Sequence, residues 1–106
     1  MSAGHTRDMW TGTAEFDLLL GDVHSLKQKR SVVRPLVAEV HRRFAVSVAE
    51  VGQLDKHRRA VVGVAVVAAD QAHVVEVLNS IESVVASRPE VDLLSSHRVI
   101  RHTDDD

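Results

Sequence analysis

Residues 60–69, AVVGVAVVAA, are an unbroken apolar run in a chain whose other segments alternate in polarity or repeat at helical spacing. The run reads as a strand that needs both faces covered, or a central place in its sheet. The rest of the chain must supply that cover. With 106 residues, 44% of them hydrophobic, it has the length and balance of one domain.

The flanking segments supply strands and helices in turn. From Trp10 the pattern alternates, with Trp10, Gly12, Ala14, Phe16, Leu18 and Leu20 on one face and Thr11, Thr13, Glu15 and Asp17 on the other, as in a half-buried strand. Gly21 and Asp22 break it. Ser25 stands three residues before Gln28, the spacing of a capping box, so a helix is expected over about 26–43. Its apolar stripe is Leu26, Val33, Leu36, Val37, Val40 and Phe44. Pro35 falls on the polar side, where water can satisfy the freed carbonyl of Ser31, so one bent helix is expected rather than two. Residues 44–51, FAVSVAEV, read as an edge strand and residues 52–59 as a polar loop. Asp70 is the expected cap of a second helix with the stripe Val74, Val77, Leu78, Ile81 and Val85, ending before Arg88-Pro89. The last strand is expected from about Val91 to His102.

Strand, helix, strand, strand, helix, strand is the split βαβ pattern of α+β ferredoxin-like folds, with a four-stranded antiparallel sheet and both helices on one face. Right-handed crossovers put the first and third strands in the centre, giving strand order 4-1-3-2. Residues 1–8 read as a flexible extension ahead of a second methionine, residues 9–103 as the domain, and residues 104–106 as a mobile acidic tail. Neither a membrane-length apolar run nor a signal-peptide series is present, and cysteine is absent, which together suit a cytoplasmic protein with no disulfide, thiolate or cysteine-bound metal.

The net charge of −2 conceals a division. Residues 24–59 carry nine Lys and Arg against Glu39, Glu50 and Asp55, a balance of +6, whereas residues 1–23 sum to −3 and residues 60–106 to −5. Lys27, Arg30, Arg34 and His41 fall within about 60° of one another on a helical wheel, and Lys29 lies near the expected helix N-terminus, where free amides favour anions. Lys56, Arg58 and Arg59 add a second cluster in the loop. Lys27, Lys29, Arg30, Arg34, Lys56, Arg58 and Arg59 are therefore the candidate nucleic-acid-binding residues. A solvated helix face and an acidic protein partner are the competing readings of the same charges.

LLLGDVHSLKQKRSVV at 18–33, FAVSVAEV at 44–51 and RAVVGVAVVAADQAHVVEVL at 59–78 resemble the YlxP-like family of small bacterial proteins. The Ser-Leu-Lys-x-Lys-Arg series (Ser25, Leu26, Lys27, Lys29, Arg30) is the most specific part, and the resemblance extends from Met9 to His102. It implies a ferredoxin-like fold. It also implies work on RNA or the ribosome, because genes of this family often stand beside those for transcription termination, translation initiation and ribosome maturation factors. Relatives often carry a tryptophan in the loop between the second and third strands, where this chain reads Asp55-Lys56-His57.

Other chemistries find no support in the residues. The only asparagine, Asn79, falls on the second helix, which removes the water-positioning amide of an acylphosphatase. The histidines share no chelating i, i+4 pair, and His97 and His102, five apart on a strand, point to opposite faces. Aromatic residues make up only 3% of the chain, and the third strand has none, which argues against stacking bases on the sheet. The expectation is a non-enzymatic domain without a cofactor, associating with RNA or ribosomal particles. The rival is a protein-interaction module or homodimer using the open sheet face, where Val and Ala alternate over residues 61–67.

Overall fold

The computed structural model describes residues 8–105. Six elements follow the expected order: β1 (Trp10–Leu20), α1 (Leu26–Phe44), β2 (Ser47–Gly52), β3 (Arg59–Ala68), α2 (Gln71–Ser87) and β4 (Val91–His102). The strands form one antiparallel sheet in the order β2-β3-β1-β4, the 4-1-3-2 order read from the other edge. The apolar run is β3, inside the sheet, and the short FAVSVAEV segment yields edge strand β2. Among the described residues no helix is long and apolar enough to cross a membrane.

Alternation decides which side of the sheet the helices cover. Ala14, Phe16, Leu18 and Leu20 of β1 and Ala60, Val62, Val64 and Val66 of β3 are buried in one cluster with Val33, Leu36 and Val40 of α1 and Val74, Leu78, Ile81 and Val85 of α2. Both helices therefore lie on that face. The odd-numbered residues of β1 and β3 form the other, open face. Closest approach is at Gly12, where a Cβ would lie 2.3 Å from Val74 Cγ1 and 3.1 Å from Leu78 Cδ1. Here the missing side chain is what lets α2 seat on β1.

The helix ends follow local chemistry. Ser25 accepts the Gln28 amide at 3.1 Å, and Gln28 Oε1 accepts the His24 amide at 2.6 Å, so the predicted cap forms with the return bond shifted one residue upstream. Asp70 accepts the His73 amide at 2.8 Å. Pro35 is exposed and α1 runs through it without ending. At its other end α1 closes on Ala45, in the left-handed region at φ 51°, with its N–H donating to the His41 carbonyl.

At the chain ends, residues 1–7, most of the expected extension, lie outside the described residues, as does Asp106. Thr103 donates to the Met9 carbonyl from its N–H and its hydroxyl, and Asp105 Oδ2 accepts the His102 amide at 2.6 Å, so a hydrogen-bonded turn closes β4.

Gly12→Val should lower stability in urea denaturation by about 1–3 kcal/mol, because Val74 is fully buried and cannot yield space. Ala45→Gly should raise it by about 0.5–1 kcal/mol, the relief of the left-handed conformation less the added unfolded-state entropy of glycine.

Candidate nucleic-acid interface

The strand directions settle which basic segments share an end of the molecule. β1 and β2 are both antiparallel to β3 and hence parallel to each other, so the turn from β1 into α1 and the loop from β2 into β3 lie at one end. Hydrogen bonds hold them there. The Leu20 amide donates to the Arg58 carbonyl at 2.8 Å, Arg58 Nε donates to the Leu20 carbonyl at 3.1 Å, and Lys29 Nζ donates to the Gln53 carbonyl at 2.7 Å.

Three of the predicted cations converge. Lys27, Arg30 and Arg34 are exposed and, with Ser31 and Pro35, line an open groove of about 530 Å³ along the outside of α1. None of the three forms an ion pair among the described residues. The first turn of α1 contains no acidic residue, so nothing offsets the positive end of its dipole. Pro35 has no N–H, which leaves the Ser31 carbonyl without its intrahelical donor at the wall of this groove. Ser31, whose carbonyl lacks the Pro35 donor, is thus among the residues that line the groove with the three cations. Arg34 also borders a cleft of about 360 Å³ between α1 and β2 with His41, Val37 and Val48.

Lys29 does not belong to this surface. It is 3% exposed, and its ammonium lies 2.7 Å from Glu50 Oε2 as well as on the Gln53 carbonyl. The reason is helical period, since 26, 29, 33, 36 and 40 form one stripe and Lys29 occupies the core position one turn before Val33. Arg59 is likewise displaced. Position 59 shares the parity of Val61 and Gly63, so its side chain emerges on the open sheet face, where Nη2 holds both Asp17 oxygens at 2.7 and 2.8 Å. Arg58 is exposed but has one nitrogen committed to Leu20, and Lys56 is exposed on the loop. The candidate site is therefore Lys27, Arg30 and Arg34, while Lys56 and Arg58 lie on the loop at the same end of the molecule. Ser31 and Pro35 are the members that a search by charge overlooks, although Ser31 lies four residues before the proline and is marked by that spacing.

Arg43, Arg88 and Arg98 are structural. Glu39 holds Arg43 at 3.2 Å and Arg88 at 2.8 Å, tying α1 to the end of α2. Arg98 donates to Asn79 at 2.9 Å and to Glu82 at 3.1 Å, fixing β4 to α2. Asn79 thus serves packing on the second helix. His97 pairs in register with Glu15 and His102 with Trp10, so the two histidines take opposite faces, and the His102 ring meets Trp10 edge-on at 4.9 Å.

Residues 11–98, from β1 through most of β4, match the family model described as "Protein of unknown function (DUF503)". The chain belongs to this family. It is 31% identical over 81 residues to the "Uncharacterized protein YlxP" of Bacillus subtilis (strain 168), a match covering 76% of this chain and 88% of that protein. The span matched by the family model includes α1 and the β2–β3 loop. A crystal structure of a mutant of SnoaB, a cofactor-independent oxygenase from Streptomyces nogalater, aligns over 93% of this chain and 96% of its own at 14% identity, with a TM-score of 0.38. At that distance it bears on neither fold nor reaction.

Removing one partner of the Lys29–Glu50 pair leaves the other half-buried and unpaired. Lys29→Ala should therefore cost about 2–3 kcal/mol in urea denaturation, less than breaking a fully buried pair because Glu50 keeps some solvent access. Lys29→Met combined with Glu50→Leu should return to within about 1 kcal/mol of the parent.

Proposed function

We propose that this chain is a non-enzymatic accessory factor that binds the phosphate backbone of structured RNA, free or in a ribosomal particle, through the groove on α1. The observation that carries the reading is the contrast among its cations. Arg43, Arg59, Arg88 and Arg98 each hold a carboxylate, while Lys27, Arg30 and Arg34 stand together with none. Holding three like charges together without counter-charges is unfavourable for the free protein and is relieved by a polyanion. The groove has no aromatic side chain, so contacts are to phosphate and sugar rather than to stacked bases. The Ser31 carbonyl is an acceptor for a ribose 2′-OH, which supports RNA over DNA. The family's gene neighbourhood points the same way, by association alone.

The test is sedimentation of lysate through a sucrose gradient with parent protein and with a triple variant carrying Lys27→Glu, Arg30→Glu and Arg34→Glu. Parent protein should run with ribosomal particles and the variant at the top, with folding nearly unchanged because exposed substitutions cost within about 0.5 kcal/mol each. Binding of purified parent protein to structured RNA should fall with salt at a log-log slope of about −2 to −3. Pro35→Ala, which returns a donor to the Ser31 carbonyl, should narrow the preference for RNA over DNA. Co-sedimentation that survives the triple charge reversal would sink the reading.

A further inference from the structure

The open face of the sheet can be laid out strand by strand from the register. Across the sheet from β2 to β4 its rows are Ser47, Ala65, Thr13, Val99, then Ala49, Gly63, Glu15, His97, with Val67, Thr11, Arg101 at one end and Arg59, Leu19, Asp92 at the other. Val51 covers Gly63, its methyl groups 3.1 Å from where a Cβ would stand. The face therefore has two halves. On β2 and β3, between Ser47 and Arg59, it is Ala49, Val51, Val61, Gly63, Ala65 and Val67, apolar or small throughout, and Val67 is 65% and Val51 54% exposed. On β1 and β4 it is polar except at Leu19 and Val99. A central strand facing water normally carries polar residues on that side, and β3 carries none between Arg59 and its end.

We infer that this face is covered by a second copy of the chain, the two sheets stacking about a two-fold axis that runs across the strands through the Gly63, Glu15, His97 row. Three observations select that occupant. First, about that axis each strand lies antiparallel over its own counterpart, so the apolar half of one copy meets the apolar half of the other. Second, the β4 ends become complementary. Asp92 and Arg101 share the open face because the bulge between their pairing segments shifts the register, and neither forms an ion pair among the described residues. Antiparallel stacking brings Arg101 of each copy to the end that carries Asp92 of the second. Third, the area falls at the low end of the range that stable interfaces bury. Eleven residues of β1 span about 35 Å and four strands about 19 Å, a planar face of about 650 Å² before pleating, against about 800 Å² per partner in a standard interface. The three carboxylates Glu15, Asp17 and Asp92 against Arg59 and Arg101 disfavour a nucleic acid on the same face, and on the axis Glu15 of each copy faces its counterpart with His97 beside it in register. The helices lie on the other side of each sheet, so the dimer leaves both α1 grooves open, and it stands independently of what those grooves bind.

Sedimentation velocity of the full chain from 1 to 100 µM tests this. The expected result is a dimer of twice 11.7 kDa. Ala65→Arg, on the exposed side of β3, should dissociate it while circular dichroism and melting temperature show a folded monomer. Asp92→Arg and Arg101→Asp should each weaken dimerisation at least tenfold, and the two together should restore it to within about threefold of the parent. A monomer throughout the range would overturn the proposal, as would a dimer indifferent to Ala65→Arg. A dimer broken by Ala65→Arg but not rescued by the charge exchange would overturn the antiparallel stacking.

Discussion

The seat of α1 at the edge of the sheet depends on a buried cation. α1 lies over β2, the shortest strand, and the ammonium of Lys29 fastens it there by holding the Glu50 carboxylate on that strand and the Gln53 carbonyl just beyond it. One side chain thus joins helix, edge strand and loop. Burying an ammonium is costly unless a charge and a hydrogen-bond acceptor meet it, and here both do. Because Lys29 turns inward, Lys27, Arg30 and Arg34 are left on the outer flank of the same helix, and the loop with Lys56 and Arg58 is held at its N-terminal end.

The two faces of the sheet then take different chemistry. The helical face closes the core through Gly12, whose missing side chain brings α2 onto β1, and through Phe16 and the even-numbered valines of β3. Its outer layer, α1, bears the unpaired cations. The open face pairs Asp17 with Arg59, sets Glu15 in register with His97, and is apolar where β2 and β3 meet. A polyanion suits the first surface and a like surface suits the second. RNA binding on α1 and dimerisation through the sheet therefore draw on separate residues.

Much of this was legible in the sequence because it is local. Period-two alternation placed β1, the apolar run placed β3, and Ser25 and Asp70 marked helix starts whose caps form as the spacing implies. The departures fall where position overrides residue type. Lys29 sits in the stripe 26, 29, 33, 36, 40 and so was bound inward whatever its charge, but its partner Glu50 is distant in sequence and no local pattern announces it. Arg59 shares its parity with Val61, and Asp17 with Glu15, so their meeting on the open face follows from alternation once β3 is begun one residue earlier. The end at which the β2–β3 loop lies was also implicit, since the expected strand order makes β1 and β2 parallel. The turn that closes β4 was not legible, because it depends on the Met9 carbonyl at the far end of the chain.

The division of labour between the two faces can be observed directly by titrating structured RNA into isotopically labelled protein and following the backbone amide resonances by NMR. Binding through α1 predicts shifts concentrated at residues 27–35 and in the β2–β3 loop around Lys56 and Arg58, with the amides of Val61, Gly63, Ala65 and Val67 unmoved. Shifts centred on those four β3 positions, with α1 silent, would contradict it.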